Sequence, residues 1–284
     1  MSHFFKLHVI PPPAPLDWAS PRGLLLKTLW HHLIQDEAPI GHFFIEIASS
    51  TPNRFGVRRV VTGMSRQARN RSTLKVIQEQ VGLGSFFYDF AGKLDRGVDA
   101  VKELDWAATS GRLKTVLVPT TEDRAHLLFD ELNEWIVNGG FRHYGGGHQI
   151  IKGEGAGCAE MGAHFFNLAL GVSGMPSDWI RSVYAPKALT GGHRTGQKVG
   201  MFKVIREGTS WAKGPEDGIL YATPDMELTW GWLERHYPGE SLVTLTPEAL
   251  GNPKKESPRI QFEAGYPKEA EQVVLNQWSL LKVD

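Results

Sequence analysis

The sequence predicts an α+β fold, a small antiparallel sheet packed on helices, and three segments carry that expectation. His42–Ala48 alternates as a strand, residues 121–138 carry an amphipathic helical stripe, and a second helix opens at Cys158 out of a glycine-dense loop. Strand and helix signals are interleaved along the chain, and no internal repeat or low-complexity tract interrupts them.

Phe4 to Ile10 alternates loosely and ends at Pro11-Pro12-Pro13, which must be extended because each proline fixes φ and removes a donor. Ser20-Pro21 reads as an N-cap followed by proline at the first helical position, opening a helix to about Ile34. Pro39-Ile40-Gly41 breaks the chain before the His42–Ala48 strand. Period two puts His42, Phe44 and Glu46 on one face and Phe43, Ile45 and Ile47 on the other. Val57 to Thr62 follows a Thr51-Pro52-Asn53 turn and completes a hairpin. Ser72 to Val81 is expected to be helical, Ser85 to Phe90 a short aromatic strand, and Leu113 to Pro119 another strand. Thr120 or Thr121 caps the next helix, whose Ala125, Leu128, Leu132 and Trp135 face a core, and Gly139-Gly140 stops it. From Cys158, residues Met161, Phe165, Leu168 and Val172 recur at helical spacing. After Gly174 the pattern weakens. Ser177–Tyr184 suggests a short helix, Lys198–Ile205 and Ile219–Ala222 strands, and Met226–His236 a helix. These signals divide the chain into a core with an N-terminal extension over 1–175 and C-terminal additions over 176–284 that complete or flank its cleft.

Composition narrows the function classes. Lys+Arg and Asp+Glu both total 31 in 284 residues, so no charge excess draws the chain toward nucleic acid or an anionic surface. No apolar run approaches the ~20 residues that a membrane span requires. Met1–Ile10 lacks the basic-then-apolar pattern of a secretory signal, which leaves the compartment open. With one cysteine no internal disulfide can form. No cofactor is expected: there is no His-Glu-x-x-His helix and no Cys-x-x-Cys pair, and His143 and His148 lack helix-face spacing. Gly153-x-Gly-x-Gly157 lacks the spacing and the Lys-Ser/Thr ending of a phosphate loop. Gly171-Val-Ser173-Gly174 is not a nucleophile elbow.

Cys158 is the candidate nucleophile. A thiolate is stabilised at a helix N-terminus by unpaired N–H groups and the helix dipole. Gly153, Gly155 and Gly157 let the backbone turn and let a substrate approach, and Gly157 and the Cys158 N–H stand where an oxyanion would develop. A buried cysteine that merely begins an apolar stripe is the competing reading. His42, opening a strand after Gly41, is the candidate base because thiol catalysis needs one on a rigid element. Tyr144 and His148, on the loop feeding Cys158, are candidates for the substrate or oxyanion site. Glu160 and His164 share a helical face as an expected exposed pair. Trp179, Trp211, Trp230 and Trp232 are expected to be packing residues before groove walls.

Gly41-His42 leading an apolar strand, followed far downstream by Gly157-Cys158-Ala159-Glu160-Met161 at a helix start, resembles the permuted papain-like group. These are relatives of the NlpC/P60 peptidases in which histidine precedes cysteine, an order shared by lecithin:retinol acyltransferase-like proteins. The resemblance spans about Gly41 to Gly171. It implies a sheet carrying His42 packed on the helix carrying Cys158, and a Cys-His dyad or triad. It also implies hydrolysis of an amide or peptide, cell-wall peptide first, with acyl transfer or lipid-ester cleavage as alternatives. The expected partner is therefore a peptide, a peptidoglycan fragment or an acyl substrate. Relatives commonly place a third, imidazole-orienting residue on the strand after the histidine. That strand offers Arg58, Arg59 and Thr62 here, none a typical partner, and Glu46 lies ~13 Å along the strand from His42 at about 3.3 Å per residue. The third residue is unassigned from sequence. A non-catalytic binding module on the same scaffold is the alternative of another class.

Overall fold

The computed structural model describes residues 2–30, 41–67, 75–146, 150–250 and 277–283. Its centre is a mixed seven-stranded sheet made of β1 (His3–Ile10), β2 (His42–Ser49), β3 (Arg59–Arg66), β4 (Phe90–Leu94), β5 (Lys114–Pro119), β6 (His143–Tyr144) and β9 (Leu242–Thr244). The order is β6-β4-β3-β2-β1-β5-β9, antiparallel throughout except for the parallel β5–β9 pair. A separate ribbon pairs β7 (Ile180–Pro186) with β8 (Gly218–Pro224). The α+β class holds, but the sheet is larger than the small antiparallel one expected. The N-terminal strand sits near its middle, between β2 and β5, and β9 arrives from beyond residue 175.

Six longer helices are described: α1 (Pro21–Trp30), α2 (Gly97–Thr109), α3 (Glu122–Val137), α4 (Cys158–Leu170), α5 (Met201–Glu207) and α6 (Met226–His236). Several begin as the sequence indicates. The Ser20 Oγ accepts the Gly23 N–H at 3.0 Å, and the Thr121 Oγ1 accepts the Arg124 N–H at 3.2 Å. Residues 75–78 of the expected 72–81 helix are helical, while 31–34 of the first helix and 72–74 lie outside the described residues.

Alternation along β1, β2 and β5 splits the core. Phe5, Leu7, Val9, Phe43, Ile45, Ile47, Val116 and Val118 face α3 and α4 in one cluster that also holds Cys158, Met161 and Phe165. The other face, through Ile10, Phe44 and Val61, packs under Ala100, Leu104 and Ala107 of α2. Trp232, Val243, Trp278 and Leu281 belong to the first cluster, so residues after 175 share the core that carries the cysteine. A third cluster, formed by Leu83, Phe87, Ala185, Leu189, Val199 and Val204, lies under the β7–β8 ribbon.

Three expected elements differ. Residues 83–87 form a 3-10 turn instead of the start of a strand, because Phe86 and Phe87 pack on Tyr221 of β8, and the strand follows at Phe90–Leu94. Residues 201–207, read as part of a strand, form α5, held against α1 by Arg22, whose guanidinium donates to the Ile205 and Arg206 carbonyls. Residues 177–179 are a short 3-10 turn, but 180–184 belong to β7, paired along its length with β8.

Candidate active site

His42 reaches the site from the first position of β2. The turn before it must pass tightly over β1: a Cβ on Gly41 would lie 2.2 Å from the Ile10 carbonyl oxygen, so glycine is required there. The imidazole packs on Phe44, with ring centroids 4.2 Å apart, and lies over Gly63 of β3, where a Cβ would come within 2.6 Å of Nε2.

Cys158 is the first residue of α4, after an N-cap Gly157 in extended conformation. The loop reaches it through Gly155 at φ +119, where a side chain would meet the His143 backbone at 2.6 Å. One turn into the helix, Gly162 lets α4 settle on the sheet: a Cβ there would lie 2.8 Å from Phe43 and 3.0 Å from Leu7. Cys158 is thereby brought to the end of β2, where the Phe43 N–H donates to its sulfur. The helix packs on the Phe43 face, not the His42 face. The two side chains meet because both stand at the strand's end.

The two groups set each other's charge. For Cys158, burial works against the thiolate, but the His42 imidazolium and its hydrogen bond, with the Phe43 N–H, outweigh it and bring the thiol pKa below its usual value. For His42, burial disfavours the cation, yet the Cys158 thiolate and the Asp95 carboxylate raise its pKa to about 10. Both shifts favour the imidazolium–thiolate form of the pair.

Asp95 stands where a third, imidazole-orienting residue, left unassigned from the sequence, would be. It follows β4 directly, and its Oδ2 lies 3.3 Å from His42 Nε2, an ion-pair approach rather than a well-aligned hydrogen bond. Three contacts fix it. The Asp95 N–H donates to the Gly63 carbonyl at 2.9 Å, Thr62 Oγ1 donates to the Asp95 carbonyl at 2.8 Å, and Ser65 Oγ donates to Oδ2 at 3.0 Å. The strand after the histidine thus contributes the supports of the carboxylate, while the carboxylate comes from the next strand's end. Glu46 is occupied elsewhere, in a buried network with His8, Lys6 and Arg59.

Among the remaining candidates, the Tyr144 hydroxyl lies 3.8 Å from the Cys158 sulfur, and burial together with the thiolate pushes its pKa well up, so it stays protonated. Gly157 lines the cavity beside Cys158. His148 lies outside the described residues. Glu160 is not part of an exposed pair. Its carboxyl reaches back to the Gly157 N–H in a capping-box arrangement and accepts from Thr223 Oγ1 at 2.7 Å, while burial raises its pKa. His164 is buried against Glu131 at 2.9 Å, because that turn of α4 faces α3 rather than solvent. Trp179 and Trp232 pack edge to face in the core, and Trp211 stacks on Trp18 and Phe86.

Cys158 and Tyr144 form the floor of a cavity of about 270 Å³. Its walls are Leu24, Leu25 and Leu29 of α1, Leu83 and Phe86 of the 3-10 turn, Met201 and Val204 of α5, and Tyr221 and Met226. Polar groups are few and cluster near the floor, among them Arg66, Glu160, Thr223 and Asp225. Asp225 caps α6 and pairs with Arg181 at 2.8 Å, so it is already engaged. Among the described residues no group of three or more His, Cys, Asp or Glu side chains is placed to hold a metal ion. No protein-family model, curated protein or solved structure matches the chain.

Proposed function

We propose that the protein is a thiol-dependent hydrolase or acyltransferase that forms an acyl-enzyme on Cys158, with His42 as acid and base and Asp95 orienting the imidazole. The observation that carries this reading is the Cys158–His42–Asp95 arrangement at the floor of an apolar cavity. The thiolate attacks a carbonyl carbon, forming the C–S bond and moving the π electrons onto oxygen. At the start of α4, the Cys158 and Ala159 N–H groups have no intrahelical acceptor and can stabilise that oxyanion, with the Tyr144 hydroxyl as a further donor. Collapse expels an alcohol or amine that takes its proton from His42. Water or an acceptor alcohol then attacks the thioester, His42 removes its proton, and the thiolate leaves.

The cavity lining bears on the substrate. A cell-wall peptide, rich in amide, carboxylate and sugar groups, would leave its polar groups unpaired against Leu24, Leu25, Leu29, Leu83 and Phe86. An acyl chain fits those walls. Ester or thioester cleavage of an acyl chain is therefore preferred over cell-wall peptide hydrolysis.

The test is an ester series of increasing chain length with intact-mass detection of the enzyme. Turnover with a transient mass increase equal to the acyl group, absent in Cys158→Ser, is the expected result. Equal turnover by Cys158→Ser removes the nucleophile assignment. A wild-type protein that turns over no ester or thioester, and whose thiol resists alkylation at pH 6, is a binding module instead.

A further inference from the structure

We propose that the rim of the cavity is a docking surface for an anionic lipid membrane, from which the acyl substrate enters. The inference rests on the acyl-chain reading above. The elements that wall the cavity also carry large exposed apolar side chains on their outer sides: Phe202 is 74% exposed, Trp30 54%, Leu26 46% and Ile77 42%. Ile77 lines the cavity and is exposed at the same time, which puts it at the mouth. Helix α1 turns Leu25 and Leu29 inward and Leu26 and Trp30 outward, and α5 places inward-lining Met201 beside Phe202.

Ordinary surface helices are apolar on one stripe and polar on the other. In α1, PRGLLLKTLW, apolar residues cover most of the circumference, with Gly23 and Lys27 on the remaining side, yet only Pro21 and Leu24 are buried. A helix of that composition fits a medium that is itself apolar, with tryptophan and leucine at the headgroup boundary.

The local charge selects the lipid. The whole chain is neutral, but α1 carries Arg22 and Lys27 with Asp17 against its first turn, and α5 carries Lys203 beside an Arg206–Glu207 ion pair, so basic charge exceeds acidic charge along the two helices. Basic residues beside interfacial aromatics complement anionic headgroups. The same rim opens onto the reactive thiol, so a chain leaving the bilayer there moves from one apolar environment into another.

The test is co-sedimentation of the full chain with phosphatidylglycerol-containing and with pure phosphatidylcholine vesicles, alongside turnover of a short water-soluble ester. Binding to the anionic vesicles is expected. It should fall at least tenfold in Trp30→Ser/Phe202→Ser and about fivefold in Lys27→Ala, with short-ester turnover unchanged in all. Lys27→Ala keeps the proposal testable should the double variant misfold. Equal binding to both vesicle types, no vesicle binding by the wild type, or unaltered binding in the variants overturns it. Failure of the acyl-enzyme reading is separate: it shows as absent ester turnover whatever the vesicles do.

Discussion

At the scale of single residues, the site is a thiol and an imidazole that each favour the other's charged form, beside one carboxylate. Because His42 stays protonated up to about 10 and the Cys158 thiol is lowered, alkylation of Cys158 should be fast at pH 6. Its rate should rise little between pH 6 and 8, where an ordinary thiol gains about tenfold per unit. Activity should fall as pH rises through about 10, since neutral His42 has no proton for the leaving group. Asp95→Asn removes the charge but keeps the shape. A loss in kcat of about a hundredfold is expected, together with a downward shift of that alkaline limb, which a merely structural role would not move. Cys158 and His42 were legible in the sequence because each announces itself locally, one at a glycine-fed helix start and the other after the Gly41 break. Asp95 was not. Its partners Thr62 and Ser65 lie about thirty residues earlier, and only the β3–β4 pairing brings it beneath the imidazole.

At the scale of elements, two glycines set the distances on which the pair depends. Gly63 of β3 lies under the His42 ring, and Gly63→Ala places a methyl 2.6 Å from Nε2. The ring must shift, and kcat should drop by about tenfold to a hundredfold while circular dichroism stays native. Gly162→Leu should instead lift α4 off Phe43 and Leu7. That costs about 2 kcal/mol of stability, as overpacking does, and slows alkylation of Cys158, both measurable in one denaturant series. The strongly periodic elements, β2, α3 and α4, were readable because their apolar residues recur at strand or helix spacing, even though β2 and α4 are buried on nearly every side. Helix α2, Gly97–Thr109, was not read from the sequence although it is as amphipathic as α3; its buried positions Gly97, Ala100 and Ala107 are small, and only Leu104 is large. Residues 198–205 read as a strand because Val199, Phe202, Val204 and Ile205 favour one. Contact with α1, absent from local sequence, decided otherwise.

Across the whole molecule, the sheet face that carries His42 also carries, further along β2, a second polar cluster with a structural role. His8 accepts or donates at 2.9 Å to Thr115 and lies 3.1 Å from Glu46, which also meets Lys6 and Arg59. Burial opposes charge on Glu46, but these partners hold its pKa at about 2. A carboxyl lowered in the folded state contributes stability that is present above its unfolded value and is lost as pH falls through the folded one. Acid unfolding monitored by fluorescence should therefore steepen between about pH 4.5 and 2. Glu46→Gln should flatten that window and cost about 3 kcal/mol at neutral pH, since Lys6 and Arg59 lose a buried partner. The catalytic pair behaves differently. Thiol plus neutral imidazole and thiolate plus imidazolium hold the same number of protons, so proton transfer between Cys158 and His42 adds no pH slope to stability near neutrality. His42 and Cys158, far apart along the chain, meet only where β2 and α4 pack together. Pairings this distant along the chain are slow to form. On the proposed reading, a chain still collapsing carries an ordinary thiol, and its reactivity toward its surroundings switches on only with that packing.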